Sequence, residues 1–333
     1  MSRPWANVLG DADHYVDPVW RAEVELSPLE RELLTTWPVR RLAGVAHAGA
    51  AAAVTTQTYS RLEHSLGLLA LVARLAPHDH VARAGALLHD IGHTPLSHTL
   101  EGLAGPDHHR LTEEGVRSLA PVLHRFGLDA GGVVSVATGR RPSMLRGPAG
   151  LLTLDHLESL VRGAHAHGRT REPPADTLAR CGVHDGAVVC DAATAADLAR
   201  LVVDEAVRQT ASWNVRAVAV LRHLTEAAMS AAGGPEPEAL AAFADHELWS
   251  LLLGSPSTAD ATRELMRHPE RWTVEPIAGP ADAIHPPTLV HEVARLYVDL
   301  PVVDGTRWRF SDEQRRVLDG LPRRFAVARS VEA

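Results

Sequence analysis

The sequence predicts a mostly α-helical fold, and three observations lead there. Aromatic residues make up only 4% of the 333 positions while 45% are hydrophobic, so Leu, Val and Ala must fill the core, a composition that suits close-packed helices better than a β-sandwich. Leu62, Leu66, Leu69 and Val72 recur at the spacing of one helix face. Ser27-Pro28 stands before a run of helix formers as a side-chain cap with proline in the first turn.

Taken in order, residues 14–26 (HYVDPVWRAEVEL) mix β-branched residues with alternating polarity and predict a short N-terminal strand or hairpin leading into the helix capped by Ser27. Helices are expected over 60–76 and from Val81 to His89, where Gly92 and Pro95 interrupt, and again over Thr112 to Phe126. Residues 131–150, rich in Gly, Arg and Pro, form a break before the helical period resumes at 151–162. A polar stretch at 168–187 precedes a long helix that Asp191 caps and that runs to about Thr210, with another from Val215 to Ser230. After Gly233-Gly234-Pro235 the character changes, and LYVDLPVV (296–303) and RFAVARS (324–330) read as strands. The expected organisation is a helical domain over 1–235 with a small mixed α/β C-terminal subdomain over 236–333 packed on it. No internal repeat or coiled-coil heptad is present.

The composition also excludes function classes. A net charge of −8 argues against a dedicated nucleic-acid binder, which needs surplus Lys and Arg to replace phosphate counterions. The chain contains no lysine at all, which removes a Walker-type phosphate loop and Schiff-base chemistry. Cys181 and Cys190 are too few for a disulfide framework and lack zinc-site spacing, so they read as two ordinary thiols. Met1 to Gly10 has no apolar leader core, and the longest near-apolar stretch, Leu66 to Val72, is far short of the roughly 20 residues of a membrane span. Cytoplasmic residence without a membrane partner is the expectation.

Twenty histidines make chance His-Asp dipeptides expected, so context must choose among the three that occur. His78-Asp79 follows Pro77 in a polar loop, and His184-Asp185 lies between Gly182 and Gly186; both read as solvated turns. His89-Asp90 ends the apolar run AGALL just before a Gly-containing break, placing an imidazole and a carboxylate at the buried end of a core helix. A buried carboxylate needs a partner, and a metal ion is one. His64 in RLEHSLG and Asp155 in LLTLDHLESLVR, where it breaks an apolar stripe, are the candidates to complete a site. Two imidazoles and two carboxylates suit Mn²⁺, Fe²⁺, Co²⁺, Ni²⁺ or Mg²⁺, with Zn²⁺ the less natural choice, and leave positions for water and a phosphate oxygen.

The ordered motifs RLEHSLG, ALLHDIGHTPLSHTLEG and LDHLESLVR, in an H…HD…D arrangement, resemble the HD-domain phosphohydrolases, especially their deoxynucleoside triphosphate triphosphohydrolase branch. The likeness covers roughly residues 14–168, with the core motifs over 60–168. It implies an HD-type helical bundle in which His64, His89, Asp90 and Asp155 hold a divalent metal. It implies catalytic roles for His98, Glu101 and His93, with Glu101 orienting His98 and raising its pKa. Arg61, His93, His156 and Ser159 become the substrate-binding set. A nucleotide substrate and a homo-oligomeric assembly follow from the same likeness.

The chain also departs from that pattern. Where the triphosphohydrolases have a second active-site histidine before a glutamate, this chain has Thr112-Glu113, with His108 and His109 slightly earlier, so the third member of a His–acid–His relay stays open. Where they grip the sugar hydroxyl with Tyr and Asp, this chain has Ser159 and Gly163. His165 and His167 can either line the same pocket or face solvent. The leading expectation is a hydrolase that releases triphosphate or phosphate from a (deoxy)nucleoside triphosphate or a modified nucleotide. The alternative is a catalytically quiet regulatory protein that binds metal or nucleotide. A nuclease is disfavoured by charge, Arg140 to Arg146 being only a short basic loop.

Overall fold

The chain enters its helical body through a two-stranded antiparallel hairpin, β1 (His14–Val16) and β2 (Glu23–Glu25), with Tyr15 opposite Val24. The computed structural model describes residues 12–103, 105, 107–278 and 288–330; the Met1–Gly10 stretch discussed above lies outside the described residues. Ser27 caps α1 (Pro28–Thr35) reciprocally: its hydroxyl accepts from the Glu30 N–H while the Glu30 carboxylate accepts from the Ser27 N–H. The short α2 (Trp37–Arg41) follows.

At the centre lie α3 (Arg61–Leu75), with a second capping box between Ser60 and Glu63, and α4 (His80–Leu88), capped by Asp79. Leu68, Leu69, Leu71, Leu87 and Leu88 are fully buried there against Leu33 and Leu34 of α1. Each such leucine contributes about 1.5–3 kcal/mol of burial, which is why the strongest apolar periodicity in the sequence marks the middle of the molecule.

The expected helix over Thr112–Phe126 divides into α5 (His108–Ser118) and α6 (Ala120–Arg125), because Pro121 supplies no N–H to continue the first ladder. The segment 131–150 is only partly a break. Asp129 accepts from the Gly132 N–H and starts α7 (Ala130–Ala137), whose Val133, Val134 and Val136 are buried in the core beside α4. Burial of those valines outweighs the helix cost of the two glycines. α8 (Leu154–Ala166) follows the remaining loop.

The polar stretch 168–187 contains α9 (Pro174–Ala179) and the start of a hairpin, β3 (Cys181–His184) and β4 (Ala187–Cys190). Its turn is Asp185-Gly186, with φ of 48° and 77°, the conformation that Asp-Gly supports best in a two-residue hairpin. His184-Asp185 is therefore a solvated turn, as its glycine neighbours imply. Two long helices come next, α10 (Ala192–Thr210), capped by Asp191, and α11 (Ser212–Ser230).

The C-terminal third adds α12 (Pro237–Ala241), α13 (Asp245–Gly254) and α14 (Ala259–Arg267), then β5 (Trp272–Pro276), β6 (Leu289–Glu292), β7 (Val302–Val303), β8 (Thr306–Arg307), α15 (Asp312–Asp319) and β9 (Arg324–Arg329). Strands β5, β9 and β6 form one antiparallel sheet in that order. Its Trp272, Phe325 and Val327 share a core with Val220, Leu221 and Leu224 of α11 and with Leu96 and Leu100. Strands β7 and β8 extend the β3–β4 hairpin through a parallel pairing at Val189 and Val302. Of the strand expected at 296–303, Val302–Val303 forms and Leu300 makes an isolated parallel bridge to Leu151, while Tyr297 and Asp299 lie against His156 of α8. The architecture is mostly α, with three small sheets among the described residues.

Candidate metal centre

Three helices meet at one point. His64 comes from the first turn of α3, His89 and Asp90 follow the last turn of α4, and Asp155 lies in the first turn of α8. The close approach of α8 to α3 depends on Gly67, where an added Cβ would collide with the side chains of Glu158 and Arg162. All four predicted ligands are brought together. His64 Nε2 lies 3.1 Å from His89 Nε2 and 3.1 Å from Asp155 Oδ1, and His89 Nε2 lies 3.3 Å from Asp90 Oδ1. These are the separations of donors sharing an ion at ordinary metal–ligand distances of about 2.0–2.2 Å.

The histidine orientations fit a cation. His89 Nδ1 donates to the Ala86 carbonyl at 3.0 Å, and His64 Nδ1 donates to the buried Glu158 carboxylate. Each outer nitrogen is thus occupied, and each Nε2 is presented inward, the arrangement in which a ligating imidazole is held. Two inward nitrogens at 3.1 Å need a proton or a cation between them. Burial opposes charge on the ring, but Glu158, Asp155 and Asp90 outweigh it and raise the His64 pKa to about 9. Burial likewise opposes the carboxylates, yet Arg61, His89 and His93 hold Asp90 well below its usual range, and His89, His64 and Arg146 do the same for Asp155. A buried, ionised N₂O₂ donor set results, which fits a divalent ion.

Beside it lies a second cluster. Arg61 Nη1 donates to Asp90 Oδ2 at 2.7 Å and Arg61 Nε to Ser97 Oγ at 2.9 Å. His93, 2% exposed, places Nε2 at 3.2 Å from Asp90 Oδ1 and stacks on His108 with centroids 4.4 Å apart. His98 is at the rim, its side chain 42% exposed, with Nδ1 at 3.1 Å from Glu101 Oε1. His108 Nδ1 reaches the same Glu101 oxygen at 2.5 Å, so His108 is the third member of the His98–Glu101–His108 chain. The surroundings of His98 overturn one expectation. Partial burial, together with Arg61 and His108, lowers the His98 pKa even though Glu101 pulls it up. The histidines His93, His98 and His108 also lie close enough together to hold a cation of their own.

The loop carrying these groups is strained. Leu96 and Ser97 adopt φ of 55° and 52°, costly for residues with a Cβ. Asp245 of α13 secures it, accepting from the Leu96 N–H at 2.7 Å and the Ala46 N–H at 2.8 Å. Arg41 adds bonds to the carbonyls of Ile91 and His93.

Of the other sequence candidates, His156 points Nδ1 at Asp299 Oδ2, 2.7 Å away, with its ring 5.4 Å from that of Tyr297. Ser159 is half-buried one turn after Asp155. Position 163 is glycine for a packing reason: a Cβ there would come within 3.0 Å of Gln57 Nε2. His167 contacts Gln57 at 3.2 Å, whereas His165 faces solvent. Sequence reasoning missed Glu158, His47, Arg146, Asp245 and Tyr297. Glu158 alone left a trace, three residues after Asp155 on the same helix face. Tyr297 and Asp245 are distant in sequence and carry no motif.

The family model described as HD domain matches residues 61–175. The chain is 28% identical over 174 residues to the uncharacterized protein YdhJ of Bacillus subtilis, which covers 50% of this chain and 53% of that one. It is 40% identical over 88 residues to the metal-dependent phosphohydrolase cns2 of Cordyceps militaris, covering 26% of this chain and 25% of that protein. The chain thus spans about half, or less, of the length of these relatives. The fold resembles a crystal structure of a phosphohydrolase from Bacteroides thetaiotaomicron, with a TM-score of 0.70, 17% identity, and coverage of 96% of this chain and 100% of that one. A hypothetical protein from Aquifex aeolicus gives a TM-score of 0.67 at 17% identity, covering 94% and 95%. All four ligand candidates lie within residues 61–175, the segment that matches the HD domain model.

Proposed function

We propose that this protein is a metal-dependent phosphohydrolase acting on a nucleotide, a (deoxy)nucleoside triphosphate or a modified nucleotide, and releasing triphosphate or phosphate. The observation that carries the reading is the junction of two sets of groups. His64, His89 and Asp90 lie close enough together to share a cation, with Asp155 beside both histidines, and Asp90 also contacts Arg61 through Oδ2 and His93 of the His93–His98–His108 cluster through Oδ1.

A divalent cation bound there supplies charge neutralisation at a phosphate and a more acidic water. The remaining work falls to side chains. Arg61 presents a rigid fork of donors to a phosphate oxygen next to the cation site. His93 is buried, and burial with Arg61 close by keeps its ring neutral, so it can donate one hydrogen bond without repelling a cation. His98, held at Nδ1 by Glu101, keeps Nε2 free at the rim to give a proton to the leaving oxygen. Its lowered pKa shifts that role toward mildly acidic pH. His156 and Tyr297 flank the opening and offer an imidazole and a ring face to the nucleoside part.

The descriptions of cns2 and of the Bacteroides structure as phosphohydrolases support the reaction class. A regulatory binder that does not turn over would have no use for the shared His98–Glu101–His108 arrangement, which is the argument against that second reading. Release of phosphate or triphosphate from a nucleotide panel with Mn²⁺ or Co²⁺ tests the proposal. The expected outcome is turnover that His98→Ala abolishes while metal content stays unchanged. Absence of turnover across the panel, with metal bound, would overturn it. Cytoplasmic residence and a homo-oligomeric state belong to the same proposal and rest on the family likeness; light scattering of the purified protein reads the second. Among the described residues no helix is long and apolar enough to cross a membrane.

A further inference from the structure

The two cysteines, unremarkable by spacing, are cross-strand partners. The β3–β4 register sets Cys181 opposite Cys190, Gly182 opposite Val189, Val183 opposite Val188 and His184 opposite Ala187. In a hairpin closed by a two-residue turn, the pair flanking the turn exchanges both backbone hydrogen bonds, and the pairs alternate from there. His184 and Ala187 form that first pair, so Cys181 and Cys190 fall at a non-hydrogen-bonded position. Opposed Cα atoms at such positions are about 4.5 Å apart, within the roughly 4.4–6.8 Å that a disulfide spans. Both thiols are free, and the Cys181 thiol donates to the Cys190 sulfur. Cys181 is 9% exposed, whereas Cys190 is half-buried at the edge of an open depression shared with Arg180 and Gly182.

We propose that Cys181 and Cys190 are a redox-active pair that closes a cross-strand disulfide when a peroxide reaches the hairpin. The Cys190 thiolate attacks one peroxide oxygen, the O–O bond breaks, and the departing hydroxide takes up a proton to leave as water with a sulfenic acid on Cys190. The Cys181 sulfur then attacks the Cys190 sulfur, expelling a second water and forming the S–S bond. Two thiols are oxidised by two electrons, and one peroxide is reduced to two waters. The Cys181 thiol donates to Cys190 and lowers its pKa, which makes the more accessible sulfur the first nucleophile. The hairpin also backs the active-site helix. The Val188 N–H donates to the Leu152 carbonyl at 2.7 Å, and the Leu152 N–H to the Leu300 carbonyl at 2.9 Å, just ahead of Thr153, the first cap of α8. The disulfide would fasten the edge against which Asp155 is positioned.

The test uses the full-length native protein and one molar equivalent of hydrogen peroxide. Because no Lys or Arg lies between Cys181 and Cys190, trypsin leaves both in one peptide, and cleavage before Asp185 then separates them. The expected result is loss of both titratable thiols, a tryptic peptide lighter by two hydrogens, two fragments joined after the second cleavage, and full reversal by dithiothreitol. In Cys181→Ser, Cys190 should instead accumulate a sulfenic acid that a dimedone probe traps. Oxygen added to each cysteine separately without a cross-link, linkage between two chains, or survival of both thiols while free cysteine in the same tube oxidises would each overturn the proposal.

Discussion

Replacing Glu158 by Gln removes one charge and keeps the volume of a fully buried side chain. Three donors converge on that carboxylate: His64 Nδ1, Arg162 Nε, and Trp20 Nε1 at 3.3 Å. It fixes the tautomer that turns His64 Nε2 toward His89 and Asp155. Loss of such a partner behind a ligating histidine costs about 10–100-fold in metal affinity, or about 1.4–2.8 kcal/mol at about 1.4 kcal/mol per decade. The pH dependence carries the sharper signature. Without metal, the carboxylates around His64 overcome its burial and raise its pKa to about 9, with Glu158 the strongest of them. A cation must displace that proton, so wild-type affinity should climb roughly tenfold per pH unit below about pH 9. In Glu158→Gln the opposing carboxylate is gone, the His64 pKa falls, and the climb should flatten within the neutral range. Stability also drops, because Arg162 keeps Asp17 but loses a buried anionic partner, a loss worth up to about 3–5 kcal/mol. Calorimetric titration with Mn²⁺ or Co²⁺ at several pH values, beside thermal melts of the apo protein, separates the two effects. An affinity within twofold of wild type with an unchanged pH slope would refute the reasoning, however far Tm moves.

Three further outcomes follow. His109 and His291 are both lowered to about 4, chiefly by burial; between about pH 4 and 6.5 the unfolded chain therefore binds more protons at these two groups, so stability should fall as pH drops from about 6.5 toward 4. Urea midpoints across that window check it, and a midpoint that rises on acidification would contradict it. Arg61→Lys loses the fork shared between Asp90 and Ser97 and should lower kcat/KM by about 10²-fold with metal content retained; near-normal kinetics would reduce Arg61 to a support for Asp90. Gly163→Asp, which restores an acid where the resembling triphosphohydrolases carry one, should lower stability by about 1–3 kcal/mol and bring no gain in deoxynucleotide turnover. A melt at the wild-type temperature with improved turnover would show that the site tolerates the family's sugar grip.

What the sequence made legible divides along a physical line. Local signals carried the helices: capping by Ser27 and Asp191 and the leucine period of α3 are interactions within a few residues, and the structure has helices where they point. The proximity of the four ligand candidates was legible only as a set: any one of them alone reads as a satisfied core polar group, and it is their joint occurrence at buried helix positions that calls for a common partner. What failed required partners far away in sequence. The helix α7 forms despite two glycines because α4 buries its valines. The stretch 296–299 forms no strand, and Asp299 lies instead against His156, 143 residues earlier. The direction of the His98 pKa went wrong for the same reason, since burial, with Arg61 and His108 brought beside it, outweighs the pull of Glu101.

The region beside Gly163 shows where a motif stops determining chemistry. The resemblance marks an acid missing there, which by itself suggests an emptied pocket. The space is instead filled by Gln57, 3% exposed, whose amide donates to Tyr59 Oη at 3.2 Å. The Tyr59 hydroxyl in turn lies 3.0 Å from His47 Nδ1, and the His47 ring sits 4.6 Å from that of His64. Arg162, held by Glu158 and Asp17, lies over the Tyr59 ring at 5.8 Å and braces this chain from behind. A side chain restored at position 163 would press its Cβ to 3.0 Å from the Gln57 amide nitrogen, at the end of a line of contacts that reaches the His64 ring. The glycine is thus part of a different polar wall, built from Gln57, Tyr59 and His47.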